Sequence, residues 1–110
     1  TDTEVLAVFI GSIYEKVKNL EEAIRMALNE VDGTFGIVVL SSYEPDKIIA
    51  ARHGSPMVLG IGENEYIIAS DAAAIIQYTK QVIYLKDNEM AIVSLNGYST
   101  KTIFNEETNS

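Results

Sequence analysis

Cysteine is absent from the 110 residues, so this chain can supply no disulfide, no thiolate zinc site and no thiol nucleophile of its own. Basic residues are scarce. Eight Lys plus Arg face sixteen Asp plus Glu, and the net charge of −8 sets up a field that repels phosphate backbones and anionic lipid, which argues against nucleic-acid and membrane partners. No apolar run approaches the roughly 20 residues of a membrane-spanning helix. The start, Thr1-Asp2-Thr3-Glu4, lacks the basic-then-apolar layout of a signal peptide, so a cytoplasmic setting is expected. An initiator Met is also missing, as in a processed chain or an excised piece.

What is present is an apolar fraction of 47%, enough for one modest core and hence for one domain or part of one. Leu6, Ile10, Ile13 and Val17 recur at helical spacing, with Val5 and Phe9 widening the stripe. This helix is expected to start near Asp2 or Thr3, where Thr1 and Glu4 have capping-box spacing. Asn19 and Glu22 repeat that spacing before a second helix, which turns Leu20, Ala23, Ile24, Ala27, Leu28 and Val31 inward and ends at Asp32-Gly33.

From Thr34 the pattern changes to strands over 35–40, 48–52, 57–61, 66–69, 82–85, 90–95 and 100–104, with a short helix over 72–79. Five turns are predicted to join successive strands as hairpins: Glu44-Pro45-Asp46, His53-Gly54-Ser55-Pro56, Gly62-Glu63-Asn64, Lys86-Asp87-Asn88-Glu89 and Asn96-Gly97. The tail, 105–110, is polar and expected to be loose. The class is α+β, with helices on one face of a largely antiparallel sheet. Continuous apolar runs such as Ile37-Val38-Val39-Leu40 imply a sheet covered on both faces. Two short helices cover only one, so the other is expected to meet a layer absent from this chain.

Few residues suggest chemistry by themselves. Ser55, His53 and Asp71 could be combined into a Ser-His-Asp set, but His53 and Ser55 merely flank a turn glycine, and His53 reads as an exposed turn residue. Gly60-Ile61-Gly62 lacks the third glycine and following helix of a dinucleotide fingerprint and reads as a strand end. Glu21, Glu22, Asp46, Glu63, Glu65, Asp87 and Glu89 are scattered without calcium-loop spacing, which predicts a solvated acidic surface and no metal. An N-terminal threonine can act as a nucleophile with its own amine as base, but at Thr1 a helix-capping hydroxyl explains the residue as well. Asp2 taken alone is a cap or first-turn carboxylate.

Five segments, in order, resemble one family: Thr1-Asp2-Thr3-Glu4-Val5, Gly33-Thr34-Phe35-Gly36, the run from Ala50 to Gly62 with its Gly54-Ser55-Pro56-Met57, the run from Ile68 to Ala74 with its Ala69-Ser70-Asp71, and Val82 to Asp87. Together they resemble the glutaminase domain of the glutamine–fructose-6-phosphate aminotransferases, over 1–104, with 105–110 a polar tail or the start of a linker. Gly54-Ser55-Pro56-Met57 and Ala69-Ser70-Asp71 are closer to this sugar-phosphate branch of the class II amidotransferases than to the amidophosphoribosyltransferases.

The resemblance implies part of a four-layer αββα N-terminal nucleophile hydrolase fold. In that family an N-terminal cysteine attacks the glutamine side-chain amide, and the ammonia released passes to fructose 6-phosphate on a separate isomerase domain to give glucosamine 6-phosphate. The nucleophile, the arginine of the glutamine clamp and the Asn-Gly oxyanion pair precede Thr1 in the family and have no counterpart here. No catalytic residue and no cofactor is therefore assigned. Asp2 is the exception among site residues, because it matches the aspartate that receives the α-ammonium of L-glutamine. The resemblance further implies that the isolated piece is inactive, that its partners are the missing N-terminal half and the isomerase domain, and that the full enzyme is a homo-oligomer. The alternatives are a stand-alone binding or scaffold module without chemistry, or a glutaminase domain of another class II amidotransferase.

Overall fold

Spacing at three and four residues places Leu6, Ile10, Ile13 and Val17 on one side of the first helix. A computed structural model describes residues 3–62, 65–70, 81–104 and 107–108. In it α1 spans Thr3–Val17, with Leu6 and Ile10 buried and Ile13 and Val17 packed beside them. Val5 and Phe9 are 65% and 38% exposed and do not widen the stripe. Each precedes a buried residue by one position, a rotation of about 100° that turns it off the core side.

Lys18 closes α1 in a left-handed conformation (φ +55°), its N–H donating to the Tyr14 carbonyl at 2.8 Å. Asn19 then caps α2, Leu20–Leu28, its Oδ1 accepting the Glu22 N–H at 2.9 Å as the spacing predicts. Glu22's own carboxylate pairs with Arg25. Leu20, Ala23, Ile24, Ala27 and Leu28 are all buried. α2 ends earlier than Asp32-Gly33 because its last turn tightens: Glu30 and Val31 donate three residues back, to Ala27 and Leu28. The Asn29 side chain donates to the carbonyls of Arg25 and Ile103, both at 2.7 Å, and so fastens the helix end to the far part of the chain.

Eight strands follow: β1 Phe35–Leu40, β2 Ile48–His53, β3 Val58–Gly62, β4 Glu65–Ala69, β5 Gln81–Tyr84, β6 Glu89–Ser94, β7 Gly97–Thr102 and β8 Glu107–Thr108. They form a five-stranded sheet, β1-β2-β6-β7-β8, and a three-stranded sheet, β4-β3-β5, with every neighbouring pair antiparallel. The expected hairpins β1–β2, β3–β4 and β6–β7 are present. The β6–β7 turn is Leu95-Asn96, with Ser94 opposite Gly97, so β7 begins earlier than the predicted 100–104. Glu107 and Thr108 pair with β7 and are not loose. The predicted helix over 72–79 lies outside the described residues.

Two expected hairpins are not hairpins. His53-Gly54-Ser55-Pro56 and Lys86-Asp87-Asn88-Glu89 carry the chain from one sheet to the other, because β2 and β6 pair with each other while β3 pairs with β4 and β5. This corrects the expectation of an absent second layer. The chain itself covers the far face of the large sheet at β2 and β6. Ile49, Ala51, Met90 and Ile92 pack on the helices, whereas Ala50, Ala91 and Val93 point the other way onto Met57, Leu59 and Leu85 of the small-sheet side. β2 is apolar on both faces for that reason. The described layers run helix, sheet, sheet, three of the four that an αββα arrangement requires.

Glu44, in the β1–β2 turn, ties the turn to the helices. Its carboxylate accepts the Leu20 N–H at 2.7 Å and pairs with Lys47 at 3.2 Å, next to Tyr14, whose ring stacks on Tyr43. Burial opposes its ionisation, but the Leu20 amide, Lys47 and Tyr14 outweigh it and hold the Glu44 carboxyl below its ordinary value. Burial and the same carboxylate raise the Tyr14 hydroxyl.

A depressed carboxylate stabilises the fold above its unfolded-state pKa, and this contribution is lost as pH falls through the folded-state value. Glu44→Gln is therefore expected to flatten the acid limb of stability against pH, and Glu44→Ala to cost about 1–2 kcal/mol at neutral pH. Urea denaturation across the acid range reads both, and an acid limb identical to that of the unaltered chain would contradict the assignment.

Candidate functional site

The most connected polar cluster among the described residues lies where the chain crosses between sheets. Arg52 sits near the end of β2, and its guanidinium has three partners: the Ser55 carbonyl from Nε at 2.6 Å, the Leu85 carbonyl from Nη1 at 2.8 Å and the Asp87 carboxylate from Nη2 at 2.6 Å. Asp87 also accepts the Gly54 N–H at 3.0 Å. Asn88, left-handed at φ +65°, donates its N–H to the Arg52 carbonyl at 2.8 Å and accepts from Ile103 at 2.8 Å. A further bond, Leu85 N–H to Met57 carbonyl at 3.0 Å, joins the two crossings directly. The guanidinium is thus engaged by both crossings and works as a structural clamp.

Gly54 is required at the bend. At φ +82° an added Cβ would lie 2.3 Å from Thr34 Cγ2, so both backbone conformation and space exclude a side chain. The Gly54 amide most of all, then Arg52 and His53 against a contrary effect of burial, hold the Asp87 carboxyl below its usual value.

His53 is half-buried and not an exposed turn residue. Its ring centroid lies 5.9 Å from that of Phe35, and its buried Nδ1 has no hydrogen-bond partner among the described residues. The ring borders a cavity of about 250 Å³ shared with Asn29, Asn88, Ile103 and Phe104. Phe35 and His53 are opposite each other in the β1–β2 ladder, which sets the ring against Phe35. The structure therefore does not assemble His53 and Ser55 into a triad, and Asp71 lies outside the described residues. Thr1 and Asp2 lie outside them too.

Gly60-Ile61-Gly62 closes β3, as a strand end should. The acidic residues are not one solvated face. Glu21 pairs with Lys101 at 2.8 Å, and Glu89 is 3% exposed with its carboxylate accepting the Lys86 N–H at 2.8 Å. No group of three metal-binding side chains occurs among the described residues. The sequence reading missed Arg52, Asp87 and Glu44 as anchors. An arginine at the end of an otherwise apolar strand was the one signal for the clamp, and nothing local links it to a carboxylate 35 residues on.

No family model matches the chain. Among characterised proteins, the glutamine–fructose-6-phosphate aminotransferase of Chlorobaculum tepidum is 51% identical over 109 residues, which is 97% of this chain and 18% of the relative. That of Thermococcus kodakarensis is 46% identical over 103 residues, 94% of this chain and 17% of the relative. In sequence, the chain is a homologue of one segment of the glutamine–fructose-6-phosphate aminotransferases. It spans less than a fifth of the length of those aminotransferases.

Among solved structures, the glutamine phosphoribosylpyrophosphate amidotransferase of B. subtilis, complexed with ADP and GMP, superposes with a TM-score of 0.75 at 22% identity. The match covers 94% of this chain and 22% of that one. A structure described as the allosteric regulatory enzyme of purine biosynthesis matches equally, with a TM-score of 0.75 at 22% identity. At that identity the likeness shows the fold alone: an α+β portion of the N-terminal nucleophile hydrolase fold.

If Arg52 clamps the two crossings, Arg52→Lys, which retains the charge but cannot reach three acceptors in a plane, is expected to cost about 2–4 kcal/mol. Gly54→Ala is expected to cost at least about 1 kcal/mol through strain alone. Denaturant titration measures both, and near-neutral outcomes would remove the clamp from its structural role.

Proposed function

We propose that these residues form the later part of the glutamine-hydrolysing domain of a glutamine–fructose-6-phosphate aminotransferase, which supplies ammonia from glutamine to fructose 6-phosphate to make glucosamine 6-phosphate. The observation that carries this reading is identity of 51% across 97% of the chain. The domain limits 1–104, with 105–110 leading toward an isomerase domain, belong to the same proposal, as do homo-oligomerisation of the full enzyme and a cytoplasmic location. No described helix is long and apolar enough to cross a membrane.

The chain has no cysteine, so on this reading the thiol nucleophile comes from elsewhere in the full-length protein, and the isolated 110 residues hydrolyse no glutamine. Asp2 receives the substrate α-ammonium. A charge-assisted hydrogen bond at that point selects free glutamine over a residue within a peptide, whose nitrogen carries no charge. The alternative, a stand-alone scaffold, predicts polar sheet surfaces. Exposed Val38 and Leu40 on β1 support the fragment instead.

In the full-length protein, Asp2→Asn is expected to lower kcat/KM for glutamine about ten- to hundredfold, mainly through KM, because a hydrogen bond to a charged group contributes about 1.5–3 kcal/mol. Thr1→Ala is expected to leave hydrolysis nearly unchanged. A glutaminase assay with both variants tests the assignment: an unaltered KM in Asp2→Asn removes Asp2 from the site, and a full-length protein without glutamine hydrolysis removes the function.

A further inference from the structure

An asparagine is chemically labile where glycine follows it, because a main-chain nitrogen with no side chain beside it can close on the carboxamide carbon. Of the seven asparagines in the sequence, Asn96 is the one followed by glycine. The fold explains why glycine stands there. Leu95 and Asn96 make the two-residue β6–β7 turn, with Ser94 opposite Gly97, and Gly97 holds φ +138°, a conformation that side chains disfavour. The Asn-Gly pair thus lies one position later than in the hairpin turn it commonly builds, and Asn96 is not left-handed. Asn96 is exposed beside Leu95, itself 88% exposed, and its carboxamide has no hydrogen-bond partner among the described residues. Nothing lies within 4 Å of where a Gly97 Cβ would stand, so the space beside the main chain is open. Other asparagines differ. The Asn19 carboxamide accepts the Glu22 N–H, that of Asn29 donates to two carbonyls, and Asn88 precedes Glu89, whose side chain is buried.

We propose that Asn96 is a self-modifying site at which the Gly97 main-chain nitrogen attacks the Asn96 carboxamide carbon. The new C–N bond displaces ammonia, which carries away the Gly97 amide proton, and leaves a cyclic imide. Water then opens that imide at either of its carbonyls, giving aspartate or isoaspartate. Both products add a negative charge to the hairpin tip of an already acidic chain. Isoaspartate does more, because its main chain runs through the former side-chain carbon and the turn gains a methylene. Ser94 and Gly97 then no longer meet in register. The next pair is Val93 with Tyr98, and the Tyr98 ring meets that of Tyr66 on β4 edge-on, with centroids 6.2 Å apart. A chemical change at the tip is thereby passed to a contact between the two sheets.

Peptide mass spectrometry on the full-length protein, aged at mildly alkaline pH, tests this directly and needs no glutamine hydrolysis as a readout. Amide-to-acid conversion at Asn96 is expected to run about tenfold or more ahead of Asn29 and Asn88, to quicken as pH rises, and to give two separable isomers. Asn96→Gln, whose longer side chain closes a larger and slower-forming ring, is expected to suppress the conversion. Conversion at Asn96 no faster than at Asn29 and Asn88 would overturn the proposal, as would a product that is aspartate alone. Hydrogen exchange on the aged sample reads the structural consequence. Peptides covering β7 are expected to exchange faster than in Asn96→Asp, which carries the charge without the added methylene. Equal exchange in the two would overturn the transmission to Tyr98 and confine the change to the turn.

Discussion

A sandwich built by one chain has to carry its backbone from one sheet to the other, and each crossing takes carbonyl groups out of both ladders. Here Arg52 answers two of them at once. Its guanidinium takes the Ser55 carbonyl from the β2–β3 crossing, the Leu85 carbonyl from the β5–β6 crossing, and the Asp87 carboxylate that in turn holds the Gly54 amide. The position of the small sheet over the large one follows from this end. With Leu85 and Met57 bonded to each other, β3 and β5 leave the crossings side by side and pair along Val58 to Ile61. The apolar contact of Ala50, Ala91 and Val93 with Met57, Leu59 and Leu85 supplies the bulk of the attraction, while the clamp sets where it occurs.

The helical layer is fixed in a complementary way, by links of long sequence separation at both ends of α2. Glu44 satisfies the Leu20 amide at its start, beside the local Asn19 cap, and Asn29 reaches the carbonyl of Ile103 at its end. Lys101 and Glu21 add a partly buried ion pair from β7 to the same helix. Each contact is modest by itself. Together they seat α2 on the sheet, with its small residues Ala23 and Ala27 fully buried.

Residue periodicity made most of the elements legible. Phe35 to Leu40 is a strand with the predicted limits, and Leu20, Ala23, Ile24, Ala27 and Leu28 are the predicted buried stripe. Connectivity was less legible, because a short Gly-containing turn looks the same whether it folds a strand back on its neighbour or sends it to another sheet. His53-Gly54-Ser55-Pro56 and Lys86 to Glu89 are the two cases. Local polarity also misleads at Glu89 and His53, whose burial depends on partners brought in by the fold. For the site, the family resemblance points to Asp2, while the Arg52–Asp87 pair spans 35 residues and emerges only in three dimensions.

The β7–β8 pairing gives the large sheet a sidedness. On that flank the last strand among the described residues is two residues long, Glu107 and Thr108, paired with Lys101 and Thr100 of β7. The β1 flank is six residues long and carries aliphatic side chains. Among the described residues the longer and more apolar flank is β1, so self-association of the sheet has its readier template there. A charge placed at Leu40 would therefore blunt that template, whereas an alteration on the β8 flank would leave it untouched.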